Sequence, residues 1–354
     1  MIRLGDINDT NMNPARTILL LFKKGESLSS GQVAEQLPDI SSITIKRALT
    51  ALFDEKLLAR TGGGRSIVYH LTQKGVYLRN YNMDAYLSID QDKRLENSQA
   101  DLGVFENLDF SFFSEDELQK LNSATEIFHK NAFGSSSTIS KKELERFVIE
   151  LSWKSSKIEG NTYTLLDTEH LLREGIKSDK NTESEAQMII NHKSAFTYIY
   201  ETTDRWSNLT LTKIEDVHHL LTQDLGITRS LRKKPVGITG TNYRPLDNEY
   251  QIRELLETLC QKVNERENVF EKALLIVLGI AYIQPFEDGN KRTARLVGNA
   301  ALLAGKLAPL SYRTVDEKKY REAALLFYEQ NSIVAMKEIF IEQYIFAAGN
   351  YNIG

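Results

Sequence analysis

The stretch "AYIQPFEDGNKRTARL", Ala281 to Leu296, decides how the rest of this chain is read. An apolar run stops at Pro285, crosses a short acidic turn and restarts as a basic helix. Pro285 ends regular structure, and Phe286 is placed to plug the core beneath the turn. Asp288 sets a hard carboxylate oxygen beside the turn, the kind that suits Mg2+. Gly289 and Asn290 bring backbone N–H groups to the start of the next helix, where unpaired donors and the helix dipole favour an anion. Arg292 and Arg295, three apart, share a helix face and can grip successive phosphates. A capped surface turn would share the short "EDGNKR" segment, so only the longer pattern separates the two readings.

Moving outward, the 354 residues suit about two domains, or one large domain with an accessory module. With 41% hydrophobic and 26% charged residues the chain has the balance of a globular protein with a substantial core. The longest apolar run, "ALLIVLGIAYI" (Ala273–Ile283), is too short to span a bilayer and reads as a buried helix; the N-terminal residues do not read as a basic-plus-apolar signal, and no membrane role is expected. The single Cys260 rules out an internal disulfide or a cysteine metal cluster, suits a reducing cytoplasm and reads as packing. Net charge is unevenly spread: residues 1–80 hold 11 Lys/Arg against 7 Asp/Glu, and the remainder 33 against 41. A basic module on an acidic body hints at a nucleic-acid contact at one end.

That module has helical patterns at "NPARTILLLFKKG" (Asn13–Gly25), "SSGQVAEQL" (Ser29–Leu37) and "SSITIKRALTALFDEKLL" (Ser41–Leu58). In the third, Ile45, Ala48, Leu49, Leu52 and Phe53 form one apolar stripe, leaving Ser42, Lys46, Arg47 and Thr50 to solvent. A two-stranded wing is expected around the triple-glycine turn Gly62–Gly64, with Ile67, Tyr69 and Leu71 alternating. The set resembles a winged helix-turn-helix, which implies Lys46 and Arg47 on a helix entering a DNA major groove and Arg60 and Arg65 on phosphates. A protein–protein module of the same shape is the alternative. Residues 81–115 read as a polar linker packed over the body, and 116–354 as mainly helical, with turns such as "FGSSS". "KKPVGITGTNYRPLDN" (Lys233–Asn248), rich in glycine and asparagine, reads as an inserted β-hairpin flap.

"QPFEDGNKRTAR" resembles the signature of the Fic (Fido) family, H-x-F-x-[D/E]-G-N-x-R-x-x-R, with six of seven specified positions matched: Phe286, Asp288, Gly289, Asn290, Arg292 and Arg295. The resemblance implies a mainly helical core with a flap, binding ATP and Mg2+. It places the metal on Asp288, the phosphates on the amides at Gly289 and Asn290 and on Arg292 and Arg295, and leaves Lys291 where many members have glycine. The hairpin around Ile238, Thr239, Gly240 and Tyr243 resembles the family's flap, which registers a target segment by strand-like pairing. "SSKIEGN" (Ser155–Asn161) resembles the family's inhibitory motif, with Ser155, Glu159 and Gly160 in place at the end of a helix near 141–160. By that resemblance Glu159 pairs with Arg295 and takes the γ-phosphate position.

The unmatched position is the histidine, here Gln284. Family members transfer AMP from ATP to a protein hydroxyl, the histidine taking the hydroxyl proton. An amide has no basic form near pH 7. The six histidines, His70, His129, His170, His192, His218 and His219, read as packing or surface residues away from the motif. Three readings stay open: a weakened transferase acting on a protein substrate or on itself; a silent nucleotide-sensing regulator that binds double-stranded DNA through the winged helix; and a winged-helix factor whose body only dimerises.

Overall fold

The computed structural model describes residues 13–94, 98–133 and 137–353, so the turn expected at "FGSSS" lies outside the described residues. The chain divides into two compact units. The first comprises Met1–Phe110, Thr239–Tyr243 and Leu325–Met336; the second comprises Ser111–Ile238, Arg244–Ala324 and Lys337–Gly354.

The first unit opens with α1 (Pro14–Leu21), β1 (Ser27–Ser29), α2 (Ser30–Gln36), α3 (Ser42–Asp54), β2 (Leu58–Thr61) and β3 (Val68–Leu71). Proline stands at the start of α1, and serines cap the next two helices: Ser29 Oγ accepts from Gln32 N and Ser41 Oγ from Thr44 N. The apolar stripe of α3 turns inward, burying Ile45, Ala48, Leu49 and Leu52 with Ile18, Phe22 and Val33. Ser42, Lys46, Arg47 and Thr50 face solvent. The wing carries one more strand than expected. β3 pairs antiparallel with β2 and also with β1, in the order β1-β3-β2. A three-residue strand reading Ser-Leu-Ser is too short to show alternation, so its pairing was invisible beforehand. Arg60 stacks its guanidinium 4.2 Å from the Phe53 ring centre, and Arg65 falls in a 3-10 turn, Gly64–Ser66, between β2 and β3. Two short helices follow, α4 (Gln73–Tyr77) and α5 (Met83–Ser88), then a 3-10 turn at Gln91–Lys93.

The second unit is helical: α6 (Glu115–Phe133), α7 (Ser137–Ile158), α8 (Leu165–Glu174), α9 (Glu183–Glu201), α10 (Leu211–Thr222), α11 (Glu249–Glu265), α12 (Val269–Ile283) and α13 (Asn290–Ala304). Parts of α14 (Glu317–Gln330) and α15 (Val334–Asn350) complete it. Nearly all of α12 and α13 is buried: α12 because it is apolar all round, α13 although it carries Arg292, Arg295 and Asn299. α13 packs on α12, α10 and α9. A Cβ at Gly298 would stand 2.8 Å from Val277 Cγ2, so glycine lets α12 and α13 approach closely. Cys260 is buried on α11, where burial pushes its thiol up to about 12, consistent with packing. Among the described residues no helix is long and apolar enough to cross a membrane.

The flap differs from expectation. Residues 233–248 contain no strand pair within the segment: the chain is irregular, with a turn at Thr239–Gly240 and an isolated bridge residue at Arg244. A buried arginine replaces the ladder: Arg232 donates Nη1 to Lys234 O at 2.9 Å and Nη2 to Leu246 O, holding the two limbs by their carbonyls.

Candidate functional site

The motif loop is a cross-braced turn between α12 and α13. Gln284 ends α12 in the left-handed conformation (φ 49°, ψ 58°), and Gly289 starts α13 at φ 80°. The second position favours glycine sterically as well, since a Cβ there would meet Thr222 Cγ2 at 3.3 Å. Asn290 braces the loop from inside: its Oδ1 accepts from Phe286 N at 2.8 Å, and its Nδ2 donates to Phe286 O at 2.8 Å and Gln284 Oε1 at 3.0 Å. Gln284 Nε2 in turn donates to Ala281 O at 2.6 Å. From outside the loop, Arg232 donates its backbone N–H to Pro285 O and its Nε to Gln284 O. Both ends of the Gln284 amide are therefore committed to structure.

Two histidines belong to this site, correcting the sequence reading that kept all six away from it. His218, on α10, lies flat on Phe286 with ring centres 3.6 Å apart and planes 7° apart. Its Nε2 donates to the backbone carbonyl of Asp288 at 3.0 Å, which fixes the tautomer of the neutral ring. His192, on α9, is fully buried near Arg295 and Arg292. Burial and the two cations together keep it neutral, well below its usual pKa. Alternating and helical periodicities mark such residues as inward-facing without naming their partners. Burial, with the Arg292 charge adding to it, lowers His218 to about 4 despite the favourable Asp288 carbonyl. Because the folded pKa is depressed below the ordinary 6.5, this neutral histidine favours the fold above about pH 6.5, and that contribution fades as pH falls towards 4. Wild-type protein should lose roughly 2–4 kcal/mol more stability than His218→Gln between pH 7 and pH 4, read by urea unfolding.

The two arginines are inside the molecule. Arg292 is 1% exposed, and Nη2 reaches Asp288 Oδ2 at 3.0 Å; its Nε and Nη1 have no protein partner. Burial pulls its pKa down, with Asp288 and Glu159 offsetting part of that. The Asp288 side chain itself remains 63% exposed. Arg295 is fully buried and gripped by the end of α7: Nε donates to Ser155 Oγ at 2.9 Å, and Nη2 to Ser155 O at 2.8 Å and Glu159 Oε1 at 2.9 Å. Tyr320 and Tyr312 present their rings 5.3 and 6.0 Å from its guanidinium carbon. Lys291 Nζ closes on the other carboxylate oxygen of Glu159 at 3.1 Å.

Glu159 sits just past α7, where the chain turns through Gly160 at φ 97° and Asn161 N–H returns to Ser156 O. Burial opposes its charge, but Arg295 and Lys291 outweigh that and hold the carboxyl below the usual carboxylate range. Ser155, Glu159, Lys291 and Arg295 thus converge, across 136 residues of sequence between Glu159 and Arg295. No side chain caps the first turn of α13, whose leading N–H groups adjoin Arg292. The arrangement suits an anion: an uncapped helix start, a buried guanidinium with two spare donors, and a carboxylate parked on a second guanidinium. Among the described residues no cluster of three His, Cys, Asp or Glu side chains could hold a metal alone. A hard cation at Asp288 would take its remaining oxygens from phosphate and water, as Mg2+ commonly does.

Residues 208–302, which include this loop, match the model of the Fic/DOC family. A protein adenylyltransferase Fic of Nematostella vectensis is 26% identical over 186 residues, 51% of this chain and 44% of that protein. One of Drosophila ananassae is 23% identical over 254 residues, covering 70% and 50%. The chain spans about half the length of these curated relatives. Fic-1 (residues 134–508) of C. elegans shares the fold with a TM-score of 0.55 at 18% identity, over 66% of this chain and 71% of that one. A Fic domain containing signaling protein of Bacteroides thetaiotaomicron gives 0.55 at 20%, over 65% and 95%.

Proposed function

We propose that the second unit binds ATP with Mg2+ at the start of α13, and that AMP transfer to a protein hydroxyl is its inherited, strongly weakened reaction. The carrying observation is Arg292, desolvated yet left with two unpartnered N–H donors beside an uncapped helix start. Buried polar groups are nearly always paired, so the two orphaned nitrogens of Arg292, next to the helix start, support an anionic ligand there. Gly289, Asn290 and Lys291 would give main-chain N–H groups to the phosphates; the Asn290 side chain is already spent on the loop. Asp288 would hold Mg2+, whose charge would neutralise the phosphates. Ser155, Glu159 and Gly160 form the restraint, with the Glu159 carboxylate occupying Arg295 as a phosphate would. The segment at Ile238, Thr239, Gly240 and Tyr243 would register a protein target. Relatives named as protein adenylyltransferases support the reaction class.

Arg292→Met is the sharpest test. It should weaken ATP binding about a hundredfold in titration calorimetry, in keeping with loss of a buried charged contact. Thermal stability should hold or rise, because an under-paired buried charge leaves with it. Unchanged ATP affinity would remove the site.

A second reading is favoured by Gln284. An amide accepts no proton near pH 7, and both ends of this one are held by the loop. On that reading the protein senses nucleotide without transferring it, and the winged helix provides the output through Lys46, Arg47 and Arg65 on double-stranded DNA.

A further inference from the structure

Within the first unit, the turn Thr239–Tyr243 is gripped by a short stretch of the same chain. Arg94 donates Nη2 to Gly240 O at 2.5 Å, while its Nη1 lies 3.3 Å from Glu329 Oε1. That pair is deeply buried, with side chains 4% and 0% exposed, and Tyr86 donates its hydroxyl to the second Glu329 oxygen at 2.7 Å. From the other side, Asn242 Nδ2 donates to Gln91 O at 3.3 Å and Asp92 Oδ1 at 3.1 Å. Gln91–Arg94 therefore presents a backbone carbonyl, a carboxylate and a guanidinium to one turn.

The receiving groups are specific. Glu329 would be an uncompensated buried charge without a cation beside it, and a planar fork that reaches the Gly240 carbonyl as well fits guanidinium better than ammonium. The Asn242 amide offers donors, which suit a carboxylate. We propose that Thr239–Tyr243 is a docking edge for a 3-10 turn of a protein target with Asp and Arg two residues apart, and that the 3-10 turn Gln91–Lys93 with Arg94 occupies it at rest. This rests on the reading of the segment as a target-registering flap. Being tethered, the resident strap acts at an effective concentration in the millimolar range, so a target competes with it weakly until it is released.

The test is hydrogen exchange of the amides at 239–243, followed by mass spectrometry on the full chain. Asp92→Ala and Arg94→Lys should each speed exchange about tenfold, while ATP affinity stays within twofold of wild type. A synthetic peptide of residues 89–94, added at millimolar concentration, should slow it again in Asp92→Ala; a scrambled peptide should not. Asn242→Ala should exchange fast and ignore the peptide. Wild-type exchange rates in the Asp92→Ala and Asn242→Ala proteins, or fast exchange that the peptide leaves unchanged in Asp92→Ala, would overturn the proposal. Should Arg94→Lys fail to fold, the other two variants carry the test. Failure of the nucleotide reading would look different: no ATP binding, with the exchange pattern intact.

Discussion

Glu159→Gly should bind ATP·Mg2+ about 10- to 100-fold more tightly than wild type, and be less stable without it. Both effects come from one carboxylate. In the resting protein Glu159 satisfies Arg295 Nη2 and Lys291 Nζ, so an incoming phosphate must displace it. Removing it leaves Arg295 fully buried, with Ser155 Oγ and Ser155 O still accepting from Nε and Nη2. Breaking such a pair from one side costs about 3–5 kcal/mol, which an anionic ligand on the same guanidinium would offset. Titration calorimetry reads the affinity; thermal unfolding with and without ATP·Mg2+ reads the stability. The folded carboxyl titrates below its usual value, so the clamp's contribution is present above about pH 4 and lost only as pH falls further. The affinity difference between the two proteins should therefore stay constant from pH 6 to 8. Equal affinities would mean that Glu159 restrains nothing.

Placing histidine at 284 in the Glu159→Gly protein should raise transfer of label from α-labelled ATP to protein by about 10²- to 10⁴-fold, the usual worth of a positioned general base. The backbone is prepared for it. Residue 284 lies at φ 49°, a region where histidine is among the more frequent non-glycine residues. The loop is braced independently of this side chain, through Arg232 to the 284 and 285 carbonyls and through Asn290 to both backbone groups of Phe286. His218 is a weak alternative base: with Nε2 donating to Asp288 O only its buried Nδ1 is left to take a proton, and burial lowers its basicity to about 4. Strong labelling by the parent Glu159→Gly protein would contradict this account of Gln284. Absence of labelling in the Gln284→His protein despite tight ATP binding would favour the sensor.

The motif was legible because its parts are local. A proline after an apolar run, a glycine at positive φ and two arginines on one helical face are all contained in Ala281–Leu296. The Glu159–Arg295 contact was legible only through resemblance, since no periodicity links residues that far apart. Arg232 was missed altogether. A buried arginine serving four backbone groups has the same sequence appearance as a surface one; "LRKKP" reads as a charge run. The flap failed as a hairpin for the same reason: glycine, proline and asparagine announce a turn, but Arg232 holds its limbs in place of ladder bonds. His218 and His192 were placed outside the site because an amphipathic pattern gives the inward face without the neighbour across it.

The most direct measurement of the central claim is a crystal structure of the Glu159→Gly protein grown with ATP and Mg2+. Triphosphate density is expected against the first turn of α13, within hydrogen-bonding distance of Arg292 Nε and Nη1 and of the freed Arg295. Density elsewhere, or an empty turn with Arg292 still unpartnered at saturating ATP, would contradict it.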